Sequence, residues 1–298
     1  MLLTLGYSPC PNDTFIFDAM VHGRIDTEGL KFDVHLGDVE ELNRLAFAGK
    51  LDVTKLSYHA FGHLTRTYAL LNAGSALGRG VGPLLVTADR DLAETHQARP
   101  QVQSKGGKEQ RGKGDGLPPG APVAIPGKYT TANYLLGLAF PKLSKKQEVL
   151  FSDIEARVLS GEFKAGLLIH ENRFTYHERG LHKIMDLGEF WEGNTGFAIP
   201  LGGIVIKRAL PLELQRTFDR VLARSVQYAF DHPEASAGYV AEHAQEMDPE
   251  VRRKHIDLYV NEYSLDLGPE GRAAVEGFLS QGRERGVIPT GVEDVFVA

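Results

Sequence analysis

Few residues of this chain combine a reactive group with a position that could use it. His170 closes the apolar run Gly166-Leu167-Leu168-Ile169 and opens the polar stretch Glu171-Asn172-Arg173. An imidazole at the exit of a buried strand is partly desolvated, which brings its pKa near working pH and suits a general base. A structural histidine bonded to a backbone carbonyl fits the same spacing, and the chain has 11 histidines. The others sit mostly in polar or helix-surface contexts, and none adds a metal-ligand spacing to His170. His170-Glu171 lacks the second histidine of a helical zinc motif, so zinc is rejected there. A single cysteine, Cys10, excludes an internal disulfide and any multi-cysteine metal site. No metal and no cofactor are expected.

Three further segments carry polar groups at the ends of expected strands. Lys55-Leu56-Ser57 ends one with a cation and a hydroxyl, a pair suited to a carboxylate or polyol. A solvated lysine beside an ordinary turn serine is the plainer alternative. Thr130-Thr131-Ala132 opens a helix after a strand and a Pro-Gly turn. Free amides at such a helix start favour an anion and the threonine hydroxyls add donors, although simple capping by Thr130 fits equally well. In Ser8-Pro9-Cys10-Pro11-Asn12-Asp13, Asn12 or Asp13 suits a helix N-cap. The glycine-rich stretch 74–83 lacks the Lys-Ser/Thr end of a phosphate loop and the strand-to-helix setting of a dinucleotide fingerprint. Its Arg79 remains a candidate anion contact, and its glycines suit close backbone approach or a crossing between lobes.

The elements that must position these groups alternate. Residues 2–7 read as a first strand, 14–21 as a helix stopped at Gly23, and 30–36 as a half-buried strand. Asp38 caps a helix with Val39, Leu42, Leu45 and Ala46 on one face, and 51–56 form another strand. This order predicts a mainly parallel sheet with helices on both faces. Strands are expected again over 122–125, 165–169, 184–187 and 199–206, with helices over 132–140 and around 154–159. The last third reads as helical over 211–230, 233–244, 249–259 and 270–286, each of the first three opened by a first-turn proline. Residues 98–120 are rich in Gly, Lys and Gln and read as a solvated, mobile and dispensable surface insertion. A basic arm for nucleic acid is the sharper reading of that segment, but it lacks aromatic residues for stacking.

The fold class is therefore α/β in two lobes: 1–90 with 203–298 as the large lobe, and 91–202 as the small one. Ligands of open α/β sheets bind beyond the carboxyl ends of strands, so a cleft between lobes would gather the turns named above. The net charge of −6, from 33 basic and 39 acidic residues, argues against nucleic acid or an anionic membrane as partner. No stretch approaches the ~20 apolar residues of a membrane span. No secretion signal precedes the first strand, which places the chain in the cytoplasm. A homo-oligomer is compatible with the sequence.

Five motifs occur in a telling order: 8–15 (Ser-Pro-Cys-Pro-Asn-Asp-Thr-Phe), Lys55-Leu56-Ser57-Tyr58, 78–83 (Gly-Arg-Gly-Val-Gly-Pro), Thr130-Thr131-Ala132 and Ile169-His170-Glu171. Together they resemble the 1,4-dihydroxy-6-naphthoate synthase family of the futalosine route to menaquinone. The likeness runs on through Tyr259-Val260-Asn261 and Ser264-Leu265-Asp266, and the insertion near 98–120 is its main departure. The resemblance implies a type II periplasmic-binding-protein-like fold recruited to catalysis. It implies a carbon–carbon lyase acting on cyclic dehypoxanthinylfutalosine, a small acidic metabolite, with 1,4-dihydroxy-6-naphthoate and dihydroxyacetone as products. It also implies His170 as proton acceptor, with Lys55, Leu56, Ser57, Thr131 and Ala132 on the substrate-binding segments. Three rivals share the fold: a solute-binding protein, which needs export; a cytosolic small-carboxylate sensor, which needs an output domain; and the related chorismate dehydratase. The motif at 8–13 and the Ile-His-Glu strand end favour the naphthoate synthase.

Overall fold

The computed structural model describes residues 1–97, 117–170, 172–245 and 248–297. The expected mobile insertion falls mainly on 98–116, outside the described residues. The strands among them are β1 (Leu2–Tyr7), β2 (Lys31–Leu36), β3 (Val53–Ser57), β4 (Tyr68–Leu70), β5 (Ala76–Gly78), β6 (Leu84–Thr87), β7 (Val123–Ile125), β8 (Lys146–Glu148), β9 (Ala165–Leu168), β10 (His182–Asp186) and β11 (Ile199–Lys207). The chain forms two compact units, one of Met1–Val81, Tyr129–Thr131 and Phe197–Ala298, the other of Gly82–Lys128 and Ala132–Gly196. The sequence reading drew its boundaries at 90/91 and 202/203.

In the first unit the strand order is β2-β1-β3-β11-β4, with β5 also paired to β11. β1 runs parallel to β2 and β3, whereas β11 runs antiparallel to β3, β4 and β5. The sheet is thus mixed and not mainly parallel. β1 to β3 are joined by helical crossovers, but β11 enters from far along the chain and no crossover dictates its direction. Alternation of Leu3, Leu5 and Tyr7 buries one face of β1 against Phe218, Val221 and Leu222 of helix Leu212–Asp231. That helix also packs on helix Pro11–Val21, where Ser225 Oγ donates to Ile16 O at 2.6 Å and accepts from Met20 N at 3.2 Å. Asp38 caps helix Val39–Phe47 as expected, accepting from the amides of Glu40 and Glu41.

The second unit holds a sheet of order β10-β6-β9-β7-β8, again mixed: β7 is parallel to β8 and β9, and β6 antiparallel to β9 and β10. β6 therefore belongs to this sheet, although its residues lie within the segment 1–90 expected in the large lobe. Its core gathers Leu84, Val86, Ala124, Ile154, Val158 and Leu168. Gly82 and Gly188 meet backbone to backbone, since a Cβ added to Gly82 lies 2.2 Å from Gly188 N. That approach lets Leu187 N donate to Pro83 O at 2.9 Å and holds the start of β6 against the end of β10.

Several element boundaries differ from the sequence reading. The first helix begins at Pro11, with Cys10 as its cap, so Asn12 and Asp13 lie in its first turn and do not cap it. Their side chains face other partners, which frees proline to open the helix. Of the three prolines, Pro249 opens helix Pro249–Tyr259, Pro211 caps the preceding long helix, and Pro233 precedes helix Ala237–His243 in a turn. β4, β5, β6 and β8, of three or four residues each, are strands that the sequence analysis did not expect. Among the described residues, no helix is long and apolar enough to cross a membrane.

Candidate functional site

In the first unit, the candidate residues gather at the carboxyl ends of β1 and β3. Lys55 is buried, and its Nζ donates to Asp13 Oδ1, so the ammonium is not a solvated surface charge. Asp13 is fully buried and accepts four hydrogen bonds: from Lys55, from Ser8 N at 3.1 Å, from Ser8 Oγ at 2.7 Å and from Asn12 Nδ2 at 2.8 Å. Asn12 is in turn fixed from its other side, where His255 Nε2 donates to Asn12 Oδ1 at 2.9 Å. Burying a charge costs several kcal/mol unless it is paired and hydrogen-bonded, and here every carboxylate oxygen has two donors. Lys55 keeps two further N–H bonds beyond the one given to Asp13.

Ser57 ends β3, and its amide donates to Asn43 Oδ1 at 3.1 Å. Asn43 Nδ2 reaches Glu40 Oε2 at 3.1 Å and Ser57 Oγ at 3.3 Å, and Glu40 Oε2 accepts the amide of Tyr129 at 3.2 Å. A chain of polar side chains thus connects the end of β3 to the segment Tyr129–Thr131. Thr131 Oγ1 donates to Leu201 O at 2.8 Å and lies 3.5 Å from His59 N. The neighbouring Gly202 pairs with Ser57 in the ladder, and a Cβ there stands 2.9 Å from Leu56 O and 3.0 Å from Lys55 Cε, which only glycine avoids. Lys55, Leu56, Ser57, Asn12 and Thr131 are therefore close neighbours, with Leu56 in the core and Thr130 buried. Arg79 stands apart on the surface, 3.5 Å from Glu270.

Sequence reasoning missed Asp13, Asn43, Glu40 and His255 as parts of this network. The available signal was polarity in the wrong place: Asn43 follows Leu42 on the buried face of its helix. Tyr58, next to Ser57, has its phenol pushed well above the usual tyrosine range by burial, against the pull of its hydrogen bond to Ser75. It is a neutral hydroxyl.

In the second unit, Ala132 is buried in helix Thr131–Ala139, and His170 follows β9. His170 has φ +59°, in the left-handed region. A non-glycine residue there costs on the order of 1 kcal/mol, so its surroundings must impose the conformation. Its ring is half-buried and meets Phe151 edge-on, with centroids 5.1 Å apart. The next described residues form the single turn Asn172–Thr175. Arg173 Nη1 donates to Gly82 O at 2.9 Å and its Nη2 lies 3.4 Å from Asp186 Oδ2. Glu155, buried, accepts from Arg179 Nη1; burial raises its carboxyl pKa, against the opposing pull of Arg179 and Asn172. Among the described residues, no group of three or more His, Cys, Asp or Glu side chains converges as a metal site.

A family model for menaquinone biosynthesis matches residues 3–284. The chain belongs to the menaquinone-biosynthesis family. Two members of known name align over nearly their whole length. A 1,4-dihydroxy-6-naphthoate synthase of Thermus thermophilus is 43% identical over 295 residues, covering 99% of each chain. One of Streptomyces coelicolor, also 43% identical, covers 96% of this chain and 95% of its own. Among solved structures, a protein from Archaeoglobus fulgidus superposes with a TM-score of 0.82 at 31% identity, covering 96% of this chain and 98% of that one. A Candida albicans protein described as having the generic periplasmic-binding-protein fold superposes at 0.68 with 12% identity, covering 99% and 93%. This menaquinone-biosynthesis chain therefore has the periplasmic-binding-protein fold.

Proposed function

We propose that the chain is a 1,4-dihydroxy-6-naphthoate synthase, a carbon–carbon lyase that converts cyclic dehypoxanthinylfutalosine to 1,4-dihydroxy-6-naphthoate and dihydroxyacetone. The observation that carries the reading is the end-to-end identity of 43% to two relatives of that name. His170 is the general base: it takes a proton from the substrate, and the electron pair left behind breaks the bond to the three-carbon fragment. Aromatisation of the remaining ring drives that cleavage, and no electron is gained or lost, so the step needs no redox cofactor. Lys55, Leu56, Ser57, Thr131 and Ala132 bind the substrate, with Asn12, Thr130 and Arg79 as further contacts.

Two features support these roles. The half-buried imidazole sits in a backbone conformation that only its surroundings can hold, a kind of strain that concentrates at functional sites. Lys55 and Ser57 offer hydrogen-bond donors to a polyol, and their positions are fixed by Asp13 and Asn43. The reading carries with it a small acidic substrate and a cytoplasmic location.

The test is incubation of the purified protein with cyclic dehypoxanthinylfutalosine, with detection of the naphthoate and of dihydroxyacetone by mass. Wild type yields both; His170→Asn, which cannot take up a proton near neutral pH, loses about 10²–10⁴-fold in turnover. Substrate affinity changes far less in that variant. Binding without turnover by the wild type returns the chain to the class of solute-binding or sensing proteins. A folded His170→Asn protein with wild-type turnover removes His170 from the mechanism.

A further inference from the structure

The turn that carries His170 is not stable by itself. Asn172–Thr175 is one helical turn, too short to hold together without outside contacts. His170, just before it, adopts a conformation disfavoured for any residue with a Cβ. Something rigid must therefore grip this turn, and Arg173 within it makes the gripping contacts.

The side chain of Arg173 is 12% exposed against 6% for its partner Asp186. Its two terminal nitrogens serve two acceptors on different strands: Gly82 O, just before β6, and Asp186 Oδ2, at the end of β10. Asp186 is itself immobile, because its Oδ1 accepts from Gly188 N at 2.8 Å and Glu189 N at 3.2 Å as the cap of helix Leu187–Thr195. Gly82 is immobile for a different reason, its backbone contact with Gly188. Further along, Arg179 donates to Glu155, which is anchored in helix Ile154–Leu159. A buried ion pair is weak support for stability, but a planar guanidinium that serves two acceptors at once is restricted in where it can stand.

We propose that Arg173 is a positioning residue for His170: by joining Gly82 O and Asp186 to the turn, it fixes where the imidazole stands. The proposal rests on the reading of His170 as the base. The side-chain hydrogen bonds of Arg173 among the described residues go to Gly82 and Asp186, and in this reading it does not touch the substrate. Its removal lets the turn relax and moves the base off its line of attack, where a shift of about 1 Å costs on the order of 10²-fold.

Turnover and KM are measured for Arg173→Met, Arg173→Lys, His170→Asn and the Arg173→Met/His170→Asn double variant, with thermal melting to verify folding. Arg173→Met lowers kcat by about 10- to 100-fold and moves KM less than about threefold, the signature of a misplaced catalytic group. Arg173→Lys falls between that variant and wild type, because an ammonium keeps the charge facing Asp186 but cannot span both acceptors. In the His170→Asn background, Arg173→Met changes turnover less than about twofold, since there is no base left to position. Multiplicative losses in the double variant, or a change confined to KM, overturn the proposal. An impaired His170→Asn beside a wild-type-like Arg173→Met overturns the positioning role alone, whereas an active His170→Asn overturns the base assignment and the proposal with it. If Arg173→Met does not fold, Arg173→Lys with and without His170→Asn decides between the same outcomes.

Discussion

Replacing Asp13 by Asn tests the central claim about the first unit, that a buried charge pair organises the ends of β1 and β3. The substitution keeps shape and volume, so no cavity forms, but it removes the only counter-charge found for Lys55 among the described residues. The side chains are 0% and 9% exposed, so water cannot take over the role of the lost carboxylate. The new amide also turns a donor toward groups that were themselves donating, Lys55 Nζ and Asn12 Nδ2 on one oxygen or Ser8 N and Oγ on the other. Breaking a buried pair by removing one partner costs about 3–5 kcal/mol. At ~2–4 °C per kcal/mol for a domain of this size class, the melting temperature falls by about 6–20 °C. Lys55→Met costs less, about 1.5–3 kcal/mol, because Asp13 then keeps three of its four donors. The double variant has no stranded ammonium and melts above Asp13→Asn. A thermal double-mutant cycle with circular dichroism measures these differences, with a coupling of at least about 1 kcal/mol expected between the two sites. If the two losses simply add, or Asp13→Asn melts within a degree or two of wild type, the charge-pair argument is wrong.

Two other outcomes follow from the packing. Asp52 lies partly buried, which raises its pKa, but hydrogen bonds from Thr4 and Lys207 outweigh that and leave it lowered in the folded state. A carboxylate with a lowered folded pKa stabilises above its unfolded value and loses that contribution as pH falls. The melting-temperature gap between wild type and Asp52→Asn is therefore full near neutral pH and closes progressively below about pH 4; a gap that widens on acidification contradicts the assignment. In the second unit, Gly82→Ala drives a methyl into Gly188 backbone and costs about 1–3 kcal/mol. Gly193→Ala, with nothing within 4 Å of the added Cβ in helix Leu187–Thr195, stabilises by up to ~1 kcal/mol, and melting curves of the two variants must shift in opposite directions.

The local parts of this structure were legible in the sequence. β1, β2, helix Val39–Phe47 with its Asp38 cap, and helix Pro249–Tyr259 follow from side-chain period, capping chemistry and the tolerance of proline in a first turn. These signals act within a few residues, so a single stretch of chain contains all the information. The abrupt end of an apolar run at His170 was legible for the same reason, and it marked a residue whose surroundings the sequence did not contain. What Lys55 meets was out of reach. Its partner Asp13 lies 42 positions earlier, and the histidine that holds Asn12 lies 243 positions later. A lysine as the third residue of a strand reads the same whether it ends in water or on a buried carboxylate. Strand direction failed for a related reason: β11 pairs antiparallel with β3 because of where the whole chain delivers it, and no residue in either strand encodes that. The left-handed backbone of His170 belongs to the same class. An imidazole side chain does not favour it; the turn that follows is tied by Arg173 to Gly82 and Asp186, residues far away in the sequence. Burial pattern is a property of the sequence, but the partner of each buried polar group is a property of the space into which the chain folds.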